Sequence, residues 1–150
     1  YRELLVSFLE LRRVLAAEAV ALAAARHTEA DLAEMRRLAK AQEKLLSDPI
    51  AFARGDVAFQ RALIRAGRNL GFEFVLNAFA RFPDEHPGLI SDLYDRREDA
   101  VMLYEFVMSL VASGDSEGAR KTLREGLERI DVEWLARHDS VVKNAAPSAP

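Results

Sequence analysis

Apolar residues recur at every third or fourth position along most of the chain, which is the spacing of amphipathic α-helices. No stretch alternates between apolar and polar residues with the period of a β-strand. The periodic segments and the turn residues between them predict six helices, at about residues 2–26, 28–47, 49–67, 70–82, 89–113 and 116–137. The pattern therefore predicts an all-α fold in which the helices form an antiparallel bundle.

Capping residues mark where several of these helices begin. Thr28 is followed three residues later by Asp31, a weaker form of the capping box in which the acid is usually Glu. Asp48 is a favourable N-cap, and Pro49 suits the first helical position because its missing N–H is not needed there. The alanine-rich segment 16–25 combines high helix propensity with small side chains, so we expect neighbouring helices to approach it closely.

Composition and charge narrow the class of protein. A chain of 150 residues with 50% hydrophobic and 30% charged residues is typical of one soluble globular domain. It has no cysteine, which excludes disulfides and thiolate metal sites, and its apolar runs are too short to span a membrane. We therefore expect a cytoplasmic location and no membrane partner. With a net charge of −3 and no basic stripe, the chain is not expected to bind duplex DNA by itself.

Two segments in the C-terminal part of the chain bear on domain organisation. Residues 141–150 are predicted to be a disordered tail, so that the folded domain spans residues 1–140. The segment from Gly114 to Leu123 is similar to half of a tetratricopeptide repeat, but such solenoids need about three copies and only one partial copy is present. A helical protein-interaction scaffold with no small-molecule ligand nevertheless stays open as an alternative.

Three short motifs in a fixed order carry a family resemblance. Residues Glu10–Leu15 have the pattern Glu-x-Arg-x-x-Leu, and Asp56–Gln60 read Asp-x-x-Phe-Gln, with Gly67-Arg68-Asn69 closing the same stretch. The third motif, towards the end of the chain, consists of Leu103–Tyr104, Gly114–Asp115 and Arg124–Leu127. Together these segments resemble the C-terminal FCD domain of GntR-type transcription regulators, in the FadR subfamily.

The resemblance implies a fold and a function. FCD domains are bundles of six or seven helices around a central cavity that receives a small effector, often an organic acid. Effector binding changes how a separate winged-helix domain sits on operator DNA; that domain would precede Tyr1, and it is absent from this sequence. Regulators of this kind act as homodimers. The implied function is that of a ligand sensor, and no activated nucleophile or acid–base pair argues for an enzyme.

The same resemblance bears on metal binding. Most FCD domains hold a divalent metal with one Asp and three His, and these four positions correspond here to Asp56, Gln60, Tyr104 and Gly126. An amide and a neutral phenol are poor ligands for a divalent transition metal, and glycine offers no side chain. The chain's own histidines are His27, His86 and His138, which are predicted to lie at a helix break, between prolines and in the terminal segment. We therefore expect no metal cofactor.

Loss of the histidines is shared with the fatty-acid-responsive FadR branch, which binds long-chain acyl-CoA. Tyr104 and Trp134 stand where that branch also has tyrosine and tryptophan. A long-chain acyl-CoA or fatty acid is thus one expected effector, and another organic acid is the alternative. The candidate effector-binding residues are Arg12, Asp56, Gln60, Tyr104, Gly126 and Trp134. For each of them a purely structural role, as a solvated helix face or as part of the core, stays open.

Overall fold

The computed structural model describes residues 2–145, and it describes the side chains of this range except those of residues 82, 83 and 140–145. Its helices are α1 (Arg2–Arg26), α2 (Glu29–Gln42), α3 (Pro49–Ala66), α4 (Leu70–Phe79), α5 (Phe82–Glu85), α6 (Pro87–Leu93), α7 (Arg97–Ser113) and α8 (Ser116–Ala145), with a 3-10 turn at Glu43–Leu45. No strand occurs in the described range. The predicted all-α fold is confirmed, and seven helices remain if the four-residue α5 is set aside.

The predicted capping residues act as expected at the starts of α2 and α3. The Thr28 hydroxyl accepts from the N–H of Asp31 at 3.3 Å, and the Asp31 carboxylate accepts from the N–H of Thr28 at 2.7 Å. The Asp48 carboxylate accepts from two N–H groups of the first turn of α3, with Pro49 beside it. Helix α7 ends at Gly114, whose φ of 70° is the left-handed conformation that glycine adopts without strain.

Helices α1 and α8 form the most extensive contact of the bundle and run antiparallel. Ion pairs join Arg2 to Asp139 at 2.8 Å and Glu18 to Arg120 at 2.7 Å, so residue numbers rise on one helix as they fall on the other. Helices α3 and α7 also pack against α1, and α2 packs against α3 and α7. The long first helix is therefore the central element of the fold.

The two halves of α1 pack differently. Val20, Ala21 and Ala23 are fully buried, and small side chains at this end let the surrounding helices come close. The N-terminal half carries larger residues, among them Phe8 and Leu11, which line the edge of an internal space instead of filling a closed core.

The sequence predicts one continuous fifth helix at residues 89–113, and this prediction is wrong. The segment forms two helices, α6 and α7, which are separated by a break at Tyr94–Arg96. The Arg97 guanidinium stabilises the break by donating to the carbonyl oxygen of Tyr94 at 2.7 Å and to that of Leu46. The break was not predicted because no glycine or proline occurs at residues 94–96 and the helical spacing of apolar residues continues across them. The break matters because it turns the Tyr94 side chain into the bundle.

The fourth helix is bound to the bundle mainly by its contacts with α3, and none of its residues is fully buried. One face, with Phe72, Leu76 and Phe79, points inward, whereas Leu70 and Phe74 on the other face are 73% and 76% exposed. Helix α4 therefore covers the internal space as a thin apolar wall.

The last helix continues to Ala145, further than the predicted domain boundary at residue 140. Residues 141–145 of the predicted disordered tail are thus helical, because the helical pattern of α8 simply continues without a breaking residue. Residues 146–150 lie outside the described residues. No helix in the described range is both long and apolar enough to cross a membrane.

Candidate functional site

The inward faces of α1, α3, α4, α7 and α8 enclose a cavity of about 210 Å³, which we call the first cavity. Its walls are mostly apolar and include Phe8, Leu11, Leu15, Phe72, Leu76 and Leu123. Among the residues that the structure describes, Arg12 is the only cationic side chain that lines it and Asp56 the only acidic one. A concave, mostly apolar space with a few convergent polar groups is the usual form of a small-molecule site.

Asp56 is held by two tyrosines from separate elements. The Tyr104 hydroxyl of α7 donates to one oxygen of the Asp56 carboxylate at 2.7 Å, and the Tyr94 hydroxyl donates to the other, also at 2.7 Å. Aromatic contacts fix both phenol rings: Phe59 lies 4.3 Å from Tyr104 and Phe52 lies 5.6 Å from Tyr94, measured between ring centroids. Each carboxylate oxygen therefore already has a short hydrogen bond from the protein.

A buried glutamine extends this network away from the cavity. The Gln42 amide donates to the Phe52 carbonyl oxygen at 2.8 Å and to the Tyr104 hydroxyl at 3.0 Å. The side chain fits because position 55 in the middle of α3 is glycine: a Cβ there would lie 1.8 Å from the Gln42 side-chain oxygen. Gly55 thus allows the amide to set the direction of the Tyr104 hydroxyl.

The surroundings keep both phenols protonated. Burial raises the pKa of Tyr94 well above its ordinary value, and the negative charge of Asp56 and the hydrogen bond to it add to this, while the charge of Arg12 opposes it. Burial also raises the pKa of Tyr104, with Asp56 acting in the same direction and the Gln42 hydrogen bond against it. At neutral pH the two tyrosines are hydrogen-bond donors to a carboxylate.

Arg12 lies at the boundary between the first cavity and its neighbour. Its guanidinium forms a close ion pair with Asp131 of α8, and the Arg13 guanidinium stands 3.9 Å from the other oxygen of the same carboxylate. Burial raises the pKa of Asp131, and the charges of Arg12 and Arg13 oppose the shift. The pair is therefore a partly desolvated link between α1 and α8.

A second cavity of about 410 Å³ adjoins the first and shares four lining residues with it: Arg12, Tyr94, Ala100 and Leu103. Its walls combine apolar side chains with ion pairs such as Arg96–Asp99, at 2.9 Å. Trp134 of α8 lines this second cavity. Arg12 and Tyr94 therefore lie at the boundary between the two cavities.

The structure brings four of the six sequence-predicted residues to the first cavity, namely Arg12, Asp56, Gln60 and Tyr104. Gly126 does not line it. Leu123 and Leu127 of α8 face the cavity, and Gly126 is turned about 100° from Leu127 around the helix. A Cβ at Gly126 would meet Phe106 of α7 at 3.6 Å, so this glycine lies against a neighbouring helix.

Trp134 is also away from the first cavity. It packs with Leu5, Leu9 and Leu89 in a small satellite core, and its indole N–H donates to the Asp92 carbonyl oxygen at 3.3 Å. The ring stacks on His138, which the sequence had placed in a terminal segment and which lies in α8.

Sequence reasoning missed Gln42, Tyr94 and Asp131. Two of them could have been found, because each is a polar residue at a position where the helical spacing predicts an apolar one. Gln42 follows Met35 and Ala39, and Asp131 lies between Leu127 and Trp134. Tyr94 carried no such signal, because its position depends on the break between α6 and α7.

The residues around Asp56 do not fit a divalent transition metal. The family's histidine positions hold an amide at Gln60 and a phenol at Tyr104, while Gly126 lies elsewhere. Both oxygens of Asp56 accept hydrogen bonds from protonated phenols. Among the described side chains, no three His, Cys, Asp or Glu residues come together. The network instead uses the aspartate to position two tyrosines.

The sequence matches the FCD domain family over residues 7–129, a range that contains the whole first cavity. The chain therefore belongs to the FCD domain family, the effector-binding domains of GntR-type regulators. Proteins that contain this domain are regulators of the GntR type. No curated protein sequence matches this chain.

Proposed function

We propose that this FCD domain senses a compact, mostly apolar carboxylic acid whose carboxylate pairs with Arg12. The observation that carries the proposal is the charge arrangement of the first cavity, where Arg12 is the one cation among the described lining residues. The Tyr94 and Tyr104 hydroxyls donate to both oxygens of Asp56 and stabilise the negative charge of this carboxylate, which weakens its repulsion of an acidic ligand. A planar guanidinium is well suited to binding a carboxylate.

The size of the cavity favours a ligand of medium length. An apolar cavity of about 150 Å³ holds one benzene molecule. The first cavity, at about 210 Å³, is only moderately larger. A medium-chain fatty acid such as octanoate, or an aromatic acid of similar size, matches this space, and the apolar wall would contact its hydrocarbon part.

A long-chain acyl-CoA, as in the FadR branch, is the second candidate, and the second cavity favours it. The two cavities meet at Arg12, Tyr94, Ala100 and Leu103, so a rearranged wall would join them into one longer site. Trp134 would then lie beside the ligand. Chain-length preference separates the two candidates.

Calorimetry with hexanoate, octanoate, dodecanoate, palmitate and palmitoyl-CoA tests the choice. We expect octanoate to bind best and octanamide, which has the same size without the charge, to bind more weakly. Octanoate at 100 times its dissociation constant should raise the melting temperature by about 5–10 °C.

Two variants provide the controls. Arg12→Gln should abolish the preference for octanoate over octanamide, whereas Arg54→Gln, which removes an arginine from an exposed ion pair with Asp84, should leave it unchanged. Tighter binding of palmitoyl-CoA than of octanoate would favour the FadR type of effector. If none of these ligands binds, and the chain instead captures a protein partner, the scaffold function would replace the sensor.

The remaining parts of the proposal come from the family. A regulator that contains this domain would act as a homodimer, would bind operator DNA through a winged-helix domain, and would need no metal for effector binding. Elemental analysis of the purified domain tests the last point, since stoichiometric Zn, Ni or Mn would contradict it. Light scattering on an intact regulator tests the dimer.

A further inference from the structure

Arg12 is not free in this structure, because a carboxylate of the protein already occupies it. Asp131 is 3% exposed and pairs with the Arg12 guanidinium across the α1–α8 contact. The arrangement is incomplete on both sides: the buried Arg12 Nε and one buried oxygen of Asp131 have no hydrogen-bond partner among the described residues. The pair is half-buried, since the Arg12 side chain is 36% exposed, and the desolvation of Asp131 offsets part of the attraction between the two charges.

The two members of the pair differ in what else surrounds them. Asp131 has a second cation nearby, because the Arg13 guanidinium lies 3.9 Å from the carboxylate oxygen that accepts no hydrogen bond. Arg12 has no second carboxylate within ion-pair distance among the described residues, but it lines the first cavity as well as the second. Asp131 lines the second cavity and not the first.

We propose that Asp131 is a built-in competitor for Arg12, which an acidic effector must displace to bind in the first cavity. In the ligand-free state the guanidinium pairs with Asp131. When the effector binds, the guanidinium turns to the ligand carboxylate, and Asp131 keeps Arg13 as its cation. The inference rests on the proposed function above and adds that the strength of acid binding is set by a residue outside the first cavity.

The exchange gives effector binding a mechanical consequence. The Arg12–Asp131 pair is one of several ion pairs along the α1–α8 contact, with Arg2–Asp139 towards one end and Glu18–Arg120 towards the other. Moving Arg12 removes a central link and leaves the outer two in place. The relative position of α1 and α8 would then report whether the cavity holds an acid.

Calorimetry on the full chain tests the proposal with octanoate and octanamide as the probes. In Asp131→Asn the competing charge is gone, so octanoate should bind about five- to tenfold more tightly than to the wild type. Octanamide should change less than about twofold, because it carries no charge to compete for Arg12. Glu18→Gln is the matched control: it removes a carboxylate from another α1–α8 ion pair that lines neither cavity, and should alter neither affinity.

The double variant Arg12→Gln, Asp131→Asn guards against a folding defect in the single variant, because it leaves no charge of the pair behind. It should fold and bind octanoate no better than octanamide. Octanoate binding to the wild type that Asp131→Asn does not tighten would overturn the competitor while leaving the proposed function intact. If octanoate fails to bind any of these proteins, both the proposed function and the competitor are wrong.

Discussion

Helix α1 passes through two environments within 25 residues, and their comparison explains where the site lies. In its C-terminal half, Val20, Ala21 and Ala23 are fully buried among closely packed helices. In its N-terminal half, Phe8, Leu11 and Arg12 border the first cavity. The same helix therefore packs tightly against its neighbours in one half and lines the first cavity in the other.

Side-chain size is the physical cause of the difference. Alanines allow helix axes to approach, and the interior they leave is filled at crystal-like density. Larger residues at the other end hold the neighbours apart, and α4, which has no buried residue, covers the gap without filling it. Stability is thus concentrated at the alanine end and ligand binding at the other.

The largest loss of stability is expected from a substitution in the closely packed C-terminal half of α1. Ala23→Leu inserts a larger side chain at a position with no free space, and should lower the free energy of unfolding by about 2–3 kcal/mol. Ala16→Leu makes the same change at a position that lines the first cavity, where a larger side chain has room. It should lower the free energy of unfolding by less than about 1 kcal/mol and should block octanoate binding. Urea unfolding and calorimetry measure both. Equal destabilisation by the two substitutions would contradict the comparison.

A smaller loss of stability is expected when the hydrogen-bond network around Asp56, beside the first cavity, is broken. Tyr104→Phe removes the hydroxyl that links Gln42 to Asp56 and should lower the free energy of unfolding by about 1–2 kcal/mol. The Gln42 amide keeps the Phe52 carbonyl oxygen and Asp56 keeps Tyr94, so the variant should still fold. Tyr94→Phe is the companion variant, since it removes the other phenol hydrogen bond to the same carboxylate. A stability of Tyr104→Phe equal to that of the wild type would show that the network contributes nothing.

The Asp131 carboxylate predicts a pH dependence of small size. Burial raises its pKa above the ordinary 3.8, so the folded protein binds this proton more tightly than the unfolded chain does. Its contribution to stability is fully present below that ordinary pKa and is lost as the pH rises through the folded value. Asparagine does not titrate. The stability of Asp131→Asn relative to the wild type should therefore increase from pH 3 to pH 7.

Glu34 provides a control of opposite sign for that titration. Its hydrogen bond from Arg37 lowers the pKa of the Glu34 carboxyl, so its contribution is present above the ordinary pKa and is lost as the pH falls. Relative to the wild type, Glu34→Gln should lose stability as the pH rises. Denaturant unfolding of both variants at several pH values decides the matter, and parallel slopes would contradict the assignment for Asp131.

The smallest expected effect concerns the outer face of α4. Phe74→Ser replaces a ring that is 76% exposed and should change the free energy of unfolding by no more than about 0.5 kcal/mol. Leu76→Ser on the inner face should cost more and weaken octanoate binding, because Leu76 lines the first cavity. Comparable losses from both substitutions would show that α4 does not act as a one-sided wall.

Much of the fold and part of the site could be predicted from the sequence. The helix starts at Thr28 and Asp48 and the end at Gly114 depend on local hydrogen bonds and backbone conformation, which the sequence states directly. Asp56 and Gln60 were found together because residues four apart share a helix face. The break at Tyr94 was missed, because it depends on Arg97 reaching a carbonyl oxygen of Leu46, far away in the chain.

The sequence by itself determined the all-α class, most helix boundaries and the membership of the FCD domain family, because these follow from periodicity, caps and short motifs. Only the tertiary structure decided which polar groups meet. It joined Asp56 to Tyr94 and Tyr104, turned Gly126 away from the cavity, and placed Asp131 against Arg12. The physical reason is that hydrogen bonds and ion pairs between helices depend on rotation and register, which are set by packing over the whole bundle.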